Sequence, residues 1–306
     1  MVSVPTPQEM ADTAVNAAVR KAALPFKTLF PLAVLAGAFI ALGAAFSTTV
    51  GAGASALPYG VGRLLSGLVF CLGLVLVVLG GAELFTGNNL MVIAWASHKI
   101  STVGLLRNWA IVYVGNFVGS VGTALLVFLG KQYTFGAGQV GEVALKTAVS
   151  KVNLGFVQAI ALGILCNALV CLAVWLAYSG RSTTDKILAV LFPISGFVAA
   201  SFEHSVANMY FIPFALLIKG FDPSFVVAHA VDVSSLTWGS FFVNNLLPVT
   251  LGNLIGGVLL VGLMIWATTV RAPAAQPQAS PSAVAPSAGT ADGDGAQPAV
   301  ADRGRL

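Results

Sequence analysis

Six intervals of the chain are long enough, and empty enough of charge, to cross a bilayer. They are residues 28–50, the run enclosed by Arg63 and Lys99, 108–130, 154–178, 187–218 and 244–270. A helix needs about 20 apolar residues to span the hydrocarbon core. The second and fifth intervals exceed that length, and each carries a polar cluster part-way along. Glu83 interrupts the second, and Glu203 and His204 interrupt the fifth. A straight helix would hold each ionisable group in lipid at about 2.5–3.5 kcal/mol. Irregular backbone is tolerated at that depth only where protein or a water-filled cavity satisfies it. Both intervals therefore read as broken helices lining a cavity, with breaks near 83–89 and 201–205.

Composition agrees. The chain is 57% hydrophobic and 8% charged, against about 25% charged in soluble domains. The net charge of +4 comes from scattered residues, with no basic run of the kind that binds nucleic acid. Cys71, Cys166 and Cys171 all lie in apolar runs and read as small core hydrophobes rather than a disulfide framework. Cys166 and Cys171 are five residues apart, on different sides of a helix, which argues against a metal pair. No metal or other cofactor is expected.

The first apolar run begins only after Lys27 and is too long for a cleaved signal. Residues 1–26 read as a short amphipathic helix ended by Pro25, lying on the membrane surface or against the bundle. Residues 27–271 form the transmembrane domain. The Ala-, Pro-, Ser- and Gly-rich stretch 272–306 is expected to be a disordered tail.

If the N-terminus is inside, the inner segments hold Arg20, Lys21, Lys27, Lys99, Arg107, Arg181, Lys186 and Arg271. The outer ones hold Arg63, Lys131, Lys146, Lys151 and Lys219. That bias favours both termini inside.

The two halves match. Glu83 is followed five residues later by Asn88, and Glu203 by Asn208. Each half then carries a Gly-Asn-x-x-Gly: Gly115, Asn116 and Gly119, then Gly252, Asn253 and Gly256. Three spans per half with both termini on one side make an inverted repeat, which places a substrate path at the interface between halves.

The Gly spacings suit helix packing, with Asn116 and Asn253 as hydrogen-bonding braces. Glu83 and Glu203 read either as caps of the half-helices that follow or as substrate contacts. His204 is an ionisable group at membrane depth and so a functional candidate. It reads as a proton relay, because an approaching anion favours the protonated ring that can then donate to a weak acid, with protonation in the vestibules as the alternative. Asn208, four residues on, is expected on the same helix face. Thr86, in the related break, adds a hydroxyl. Together the three suit a small anion or weak acid better than a large cation. Phe70, Leu74, Leu84, Phe85 and Phe197 read as path walls or as ordinary packing. Lys27 and Lys151, at opposite faces, read as anion collectors or as surface anchors.

"ELFTGNN" (83–89), "SGRS" (179–182), "FEHSVANM" (202–209) and "PVTLGNLIGG" (248–257) resemble the formate/nitrite transporter family. The resemblance runs over roughly 8–271. It implies an all-α, aquaporin-like protomer of six helices, assembled as a homopentamer in a bacterial inner membrane, with one pore per protomer. It implies that His204 is the central histidine, Asn208 its partner and Thr86 the break threonine. It implies hydrophobic constrictions at Phe70, Leu74, Leu84, Phe85 and Phe197, and vestibule lysines at Lys27 and Lys151. "VCLAVWLAYSGRS" (170–182) and "GFVAASFEHSVANMYFIP" (196–213) are most similar to the formate branch. Nitrite or hydrosulfide are the alternatives within the family.

An enzyme would need a nucleophile–base pair or metal ligands. His98 and His229 lie far from His204 in sequence, at a span end and in an outer segment, so no such cluster assembles. A water or polyol facilitator would need paired Asn-Pro-Ala breaks, and neither break contains one.

Overall fold

The computed structural model describes residues 4–271, and the expected tail lies outside them. Helix α1 (Pro7–Ala23) starts at a capping box between Thr6 and Glu9. Hydrogen bonds from Thr6 hold the exposed Glu9 carboxyl below its ordinary range. Met10, Ala11, Ala14, Ala17 and Ala18 form its buried face, the spacing of one helical stripe. Of the two positions open to this segment, the structure selects the one against the bundle: α1 packs on the residues around 92–96 and on the end of the last helix.

Helices α2 (Phe26–Gly51), α3 (Tyr59–Gly80), α6 (Thr102–Leu129) and α8 (Phe156–Ala177), and a last helix α12 (Trp238–Val270), are each long and apolar enough to span. The fifth interval is divided between α9 (Thr183–Ala199) and α10 (Ser205–Phe221). After α3 the chain re-enters through α4 (Phe85–Asn88) and α5 (Val92–Ala96), joined by one 3-10 turn. The last span starts at Trp238, earlier than its charge-free interval suggested. It includes π-helical turns at Phe241–Leu246 and Ile255–Leu263.

One element was not apparent from the apolar intervals. Helix α7 (Gln139–Val152) is amphipathic, buries Val140, Ala144, Leu145, Ala148 and Val152, and ends beside Lys151. It is the second-half counterpart of α1, which ends near Lys21. A short α11 (Pro223–Ala228) follows α10.

Each half packs as a triple, α2 with α3 and α6, and α8 with α9 and α12. Small residues let the backbones meet. A β-carbon on Gly119 would collide with the Val34 carbonyl, and one on Gly256 with the Ile164 carbonyl. The halves join where α3 runs against α9 and where α10 runs against α2 and α6.

Candidate conduction path

The two breaks are built alike. After α3, Gly81 turns left-handed (φ 67°), and the Ala82 N–H closes on the Val77 carbonyl at 3.0 Å. After α9, Ser201 takes the same turn (φ 60°), and the Phe202 N–H closes on the Phe197 carbonyl at 3.0 Å. Extended residues follow, and one asparagine braces each stretch. Asn116 donates to the carbonyls of Ala33 (2.7 Å) and Glu83 (2.9 Å) and accepts from the Phe85 N–H (2.9 Å). Asn253 donates to Gly163 and Glu203 and accepts from the Ser205 N–H, each at 2.9 Å. Open backbone at membrane depth is thereby satisfied.

The buried glutamates cap neither half-helix. Glu83 takes a hydrogen bond from Asn88 at 2.7 Å and pairs with Lys21 at 3.1 Å. Glu203 takes one from Asn208 at 2.7 Å and pairs with Lys151 at 2.6 Å. Asn88 also donates to Asn108, which donates to the Lys21 carbonyl. Asn208 donates to Asn245, which donates to the Lys151 carbonyl. The lysine–glutamate–asparagine frame thus appears twice, once per face.

Lys27 is exposed on the first turn of α2 and lines none of the cavities described below. Lys21 stands where Lys27 was expected, because α1 folds back on the bundle and carries its last turn into the mouth. Asn108 and Asn245 are also additions. Each lies eight residues before its bracing asparagine, a shared spacing that the sequence contains and that could have revealed them.

Three spaces follow one another through the protomer. A cavity of ≈190 Å³ on the face carrying α1 is lined by Lys21, Glu83, Asn88, Leu74 and Leu84. One of ≈350 Å³ on the other face is lined by Lys151, Glu203, Asn208, Phe70, Phe197 and His204. Between them is a chamber of ≈10 Å³ touching Leu74 and Leu84 at one end and Phe70, Phe197 and His204 at the other. That volume holds about one water at most. Ile40, Val170 and Ile194 complete its wall. Phe85 does not contribute: its ring packs edge-on to Tyr113 at 4.8 Å and Trp109 at 6.3 Å, away from the chamber.

His204 is the N-cap of α10, so it lies outside the helix on whose face it was expected to join Asn208. Its Nδ1 accepts the Ala207 N–H at 3.0 Å. Nδ1 therefore carries no proton, and the ring is the neutral Nε2–H tautomer. Nε2 lies 2.9 Å from Thr86 Oγ1 and donates to it. Asn208 instead serves Glu203 and Asn245, and its Oδ1 has no partner among the described residues. The expected trio thus divides into a His204–Thr86 pair at the centre and Asn208 in the vestibule.

These features define a membrane pore with a dry centre between two cation-bearing vestibules. The family model for formate/nitrite transporters matches residues 8–267, and the chain belongs to that family. It is 45% identical over 270 residues to the formate channel FocA of Escherichia coli K12, covering 87% of this chain and 94% of that protein. It is 42% identical to the formate channel FocA of Haemophilus influenzae, covering 84% and 92%. A solved pentameric formate channel with formate bound superposes with a TM-score of 0.76 at 43% identity, covering 80% of this chain and 98% of that one.

Proposed function

We propose that this chain conducts formate across a bacterial inner membrane, as a pentamer with one path per protomer. Both termini lie on the cytoplasmic side. The relatives' substrate and assembly support the first statement, and the excess of Lys and Arg on the face carrying the termini supports the second.

The observation that carries the mechanism is the ≈10 Å³ chamber beside a neutral His204. A bare anion in such a space has lost its hydration shell, at a cost of many kcal/mol. Lys21 and Lys151 raise the local anion concentration at the two mouths. As the dielectric falls toward the chamber, the charged form is disfavoured, so the carboxylate takes a proton from hydronium in the vestibule, crosses as the neutral acid and returns the proton to water on the far side. His204 supplies hydrogen bonding from a ring that Thr86 orients. A second proton on that ring would have to sit on Nδ1, where the Ala207 N–H already points. This favours a neutral hydrogen-bonding histidine over one that gains and donates a proton.

The test is His204→Asn. Asparagine is a strong N-cap and keeps α10, while the titrating ring is gone. In proteoliposomes the variant is expected to keep electroneutral formate movement with the wild-type pH dependence. A pH-independent, electrogenic formate leak would instead establish His204 as an obligatory relay. Parallel traces with nitrite and a neutral polyol measure the substrate range.

A further inference from the structure

Arg63 lies on α3, and nothing in the path described so far uses it. It lines the far-side vestibule, the space lined by Lys151, and is half-buried. Among the described residues it has no acidic partner. Its guanidinium donates to main chain instead: Nη2 to the Val198 carbonyl and Nε to the Ala199 carbonyl, the latter at 3.3 Å. These are the last two carbonyls of α9, beyond the reach of regular α-helical N–H partners; that of Val198 also accepts the Ser201 N–H of the turn at 3.0 Å. The charge also suits the negative end of the helix dipole.

The position gives those bonds consequence. Phe197 immediately precedes the two clamped carbonyls. Its ring lies 5.6 Å from Phe70, edge-on, and 5.8 Å from His204. Phe70 is on α3, two helical turns beyond Arg63. One helix therefore carries one wall of the constriction and the group that pins the other.

Contacts between α3 and α9 continue inward from the clamp. A β-carbon on Gly67 would lie 2.5 Å from the Ser195 carbonyl, and Cys71 Sγ lies 3.4 Å from the Leu191 carbonyl. Positions 63, 67 and 71 form one stripe of α3. Arg63 is the outer end of that seam, where α9 is about to break. In the related break, the position equivalent to Arg63 is Thr183, at the start of α9, too short to reach across.

We infer that Arg63 is a positioning residue for selectivity: it fixes the end of α9 so that Phe197 stays against Phe70 and His204. The inference rests on the reading of Phe197 as a constriction. It separates Arg63 from the vestibule lysines, which act through charge on the anion.

The test is a double-mutant cycle on the full-length protein in proteoliposomes, reading acetate against formate permeability. Assembly is checked by size-exclusion chromatography. Arg63→Gln is expected to raise the acetate-to-formate ratio by about threefold or more, with no added effect in a Phe197→Ala background. Arg63→Lys keeps the charge but reaches one carbonyl at best, so it is expected to fall between, and it carries the test if Arg63→Gln does not assemble. The inference is overturned if Arg63→Gln acts equally with and without Phe197, or if its effect disappears at high ionic strength as a charge effect would. An unchanged ratio in Phe197→Ala alone overturns the constriction reading and this inference with it.

Discussion

The break after α3 and the break after α9 share a frame and differ in contents. Each has a left-handed turn, a glutamate paired to a lysine, an asparagine reaching that glutamate, and a second asparagine bracing the backbone. The contents diverge at most other positions, and three of them matter here. Leu84 is matched by His204, Thr86 by Val206, and Gly81 by Ser201. The frame does what any broken membrane helix requires, which is to satisfy exposed backbone and neutralise buried charge. It can be used twice because that requirement is the same at both faces. The chamber between the breaks is single, so the group that meets the substrate appears once. His204 from one break and Thr86 from the other complete each other across the pseudo-symmetry.

The most damaging test of this comparison removes the braces. Asn116→Leu leaves the Glu83 carbonyl and the Phe85 N–H of the break without their partner and removes a second bond to the Ala33 carbonyl, which keeps its place in the α2 ladder. Asn253→Leu does the same to the Glu203 carbonyl and the Ser205 N–H, and removes a second bond to the Gly163 carbonyl inside α8. Each orphaned buried group costs about 1–3 kcal/mol. Both variants are expected to lose roughly 3 kcal/mol or more, seen as lost assembly or a sharply lowered Tm in detergent. If one tolerates the change and the other does not, the frames are not equivalent in energy.

The lysines sharpen the comparison at the mouths. Lys21→Ala and Lys151→Ala are each expected to slow formate flux at low ionic strength by roughly five- to tenfold. Lys27→Ala is expected to leave it unchanged. Flux assays on the three variants, repeated at high salt where the loss should shrink, check this. A Lys27→Ala variant as slow as Lys21→Ala would return the anion-collecting role to Lys27. The faces differ in one detail. Lys21 Nζ also donates to Asn88 Oδ1 at 2.7 Å, whereas Lys151 leaves Asn208 Oδ1 alone and lies 5.5 Å over the Phe211 ring.

Most of the architecture was legible because membranes constrain it so strongly. Charge-free runs measured the spans, and excess length with a buried Glu located both breaks. Repeated Glu–Asn and Gly–Asn spacings exposed the inverted repeat. What failed was direction. Lys21 and Lys27 lie near the same face in sequence, and only the return of α1 onto the bundle decides which enters the mouth. Helical spacing put Asn208 beside His204, but His204 is the residue before the helix and follows no helical face. Phe85 looked like a wall residue because it lies at the break, yet the Asn116 bond to its N–H fixes the start of α4, and the ring turns toward Tyr113. Arg63 was just another basic residue until its partners proved to be carbonyls rather than an acid.

The smallest expected effect lies at the left-handed turns themselves. Gly81 adopts φ 67° with no steric cost, while Ser201 holds φ 60° with a β-carbon present. A left-handed conformation costs an L-residue roughly 1–2 kcal/mol relative to its right-handed one. Glycine loses more entropy on ordering, which returns about half of that. Ser201→Gly is therefore expected to be neutral or to stabilise by about 0.5 kcal/mol. Gly81→Ser is expected to destabilise by about 1 kcal/mol. Space does not interfere with either reading: a β-carbon at Gly81 meets nothing within 4 Å, and Ser201 is exposed. The measurement is the Tm of each variant in one detergent, with the two changes combined in a third. The two turns are far apart in sequence and share no hydrogen-bond partner in the structure, so the shifts should add. A Ser201→Gly variant that loses stability would mean that its hydroxyl or its stiffness is needed where α9 ends. The second break would then depend on Ser201 as well as on the Arg63 clamp.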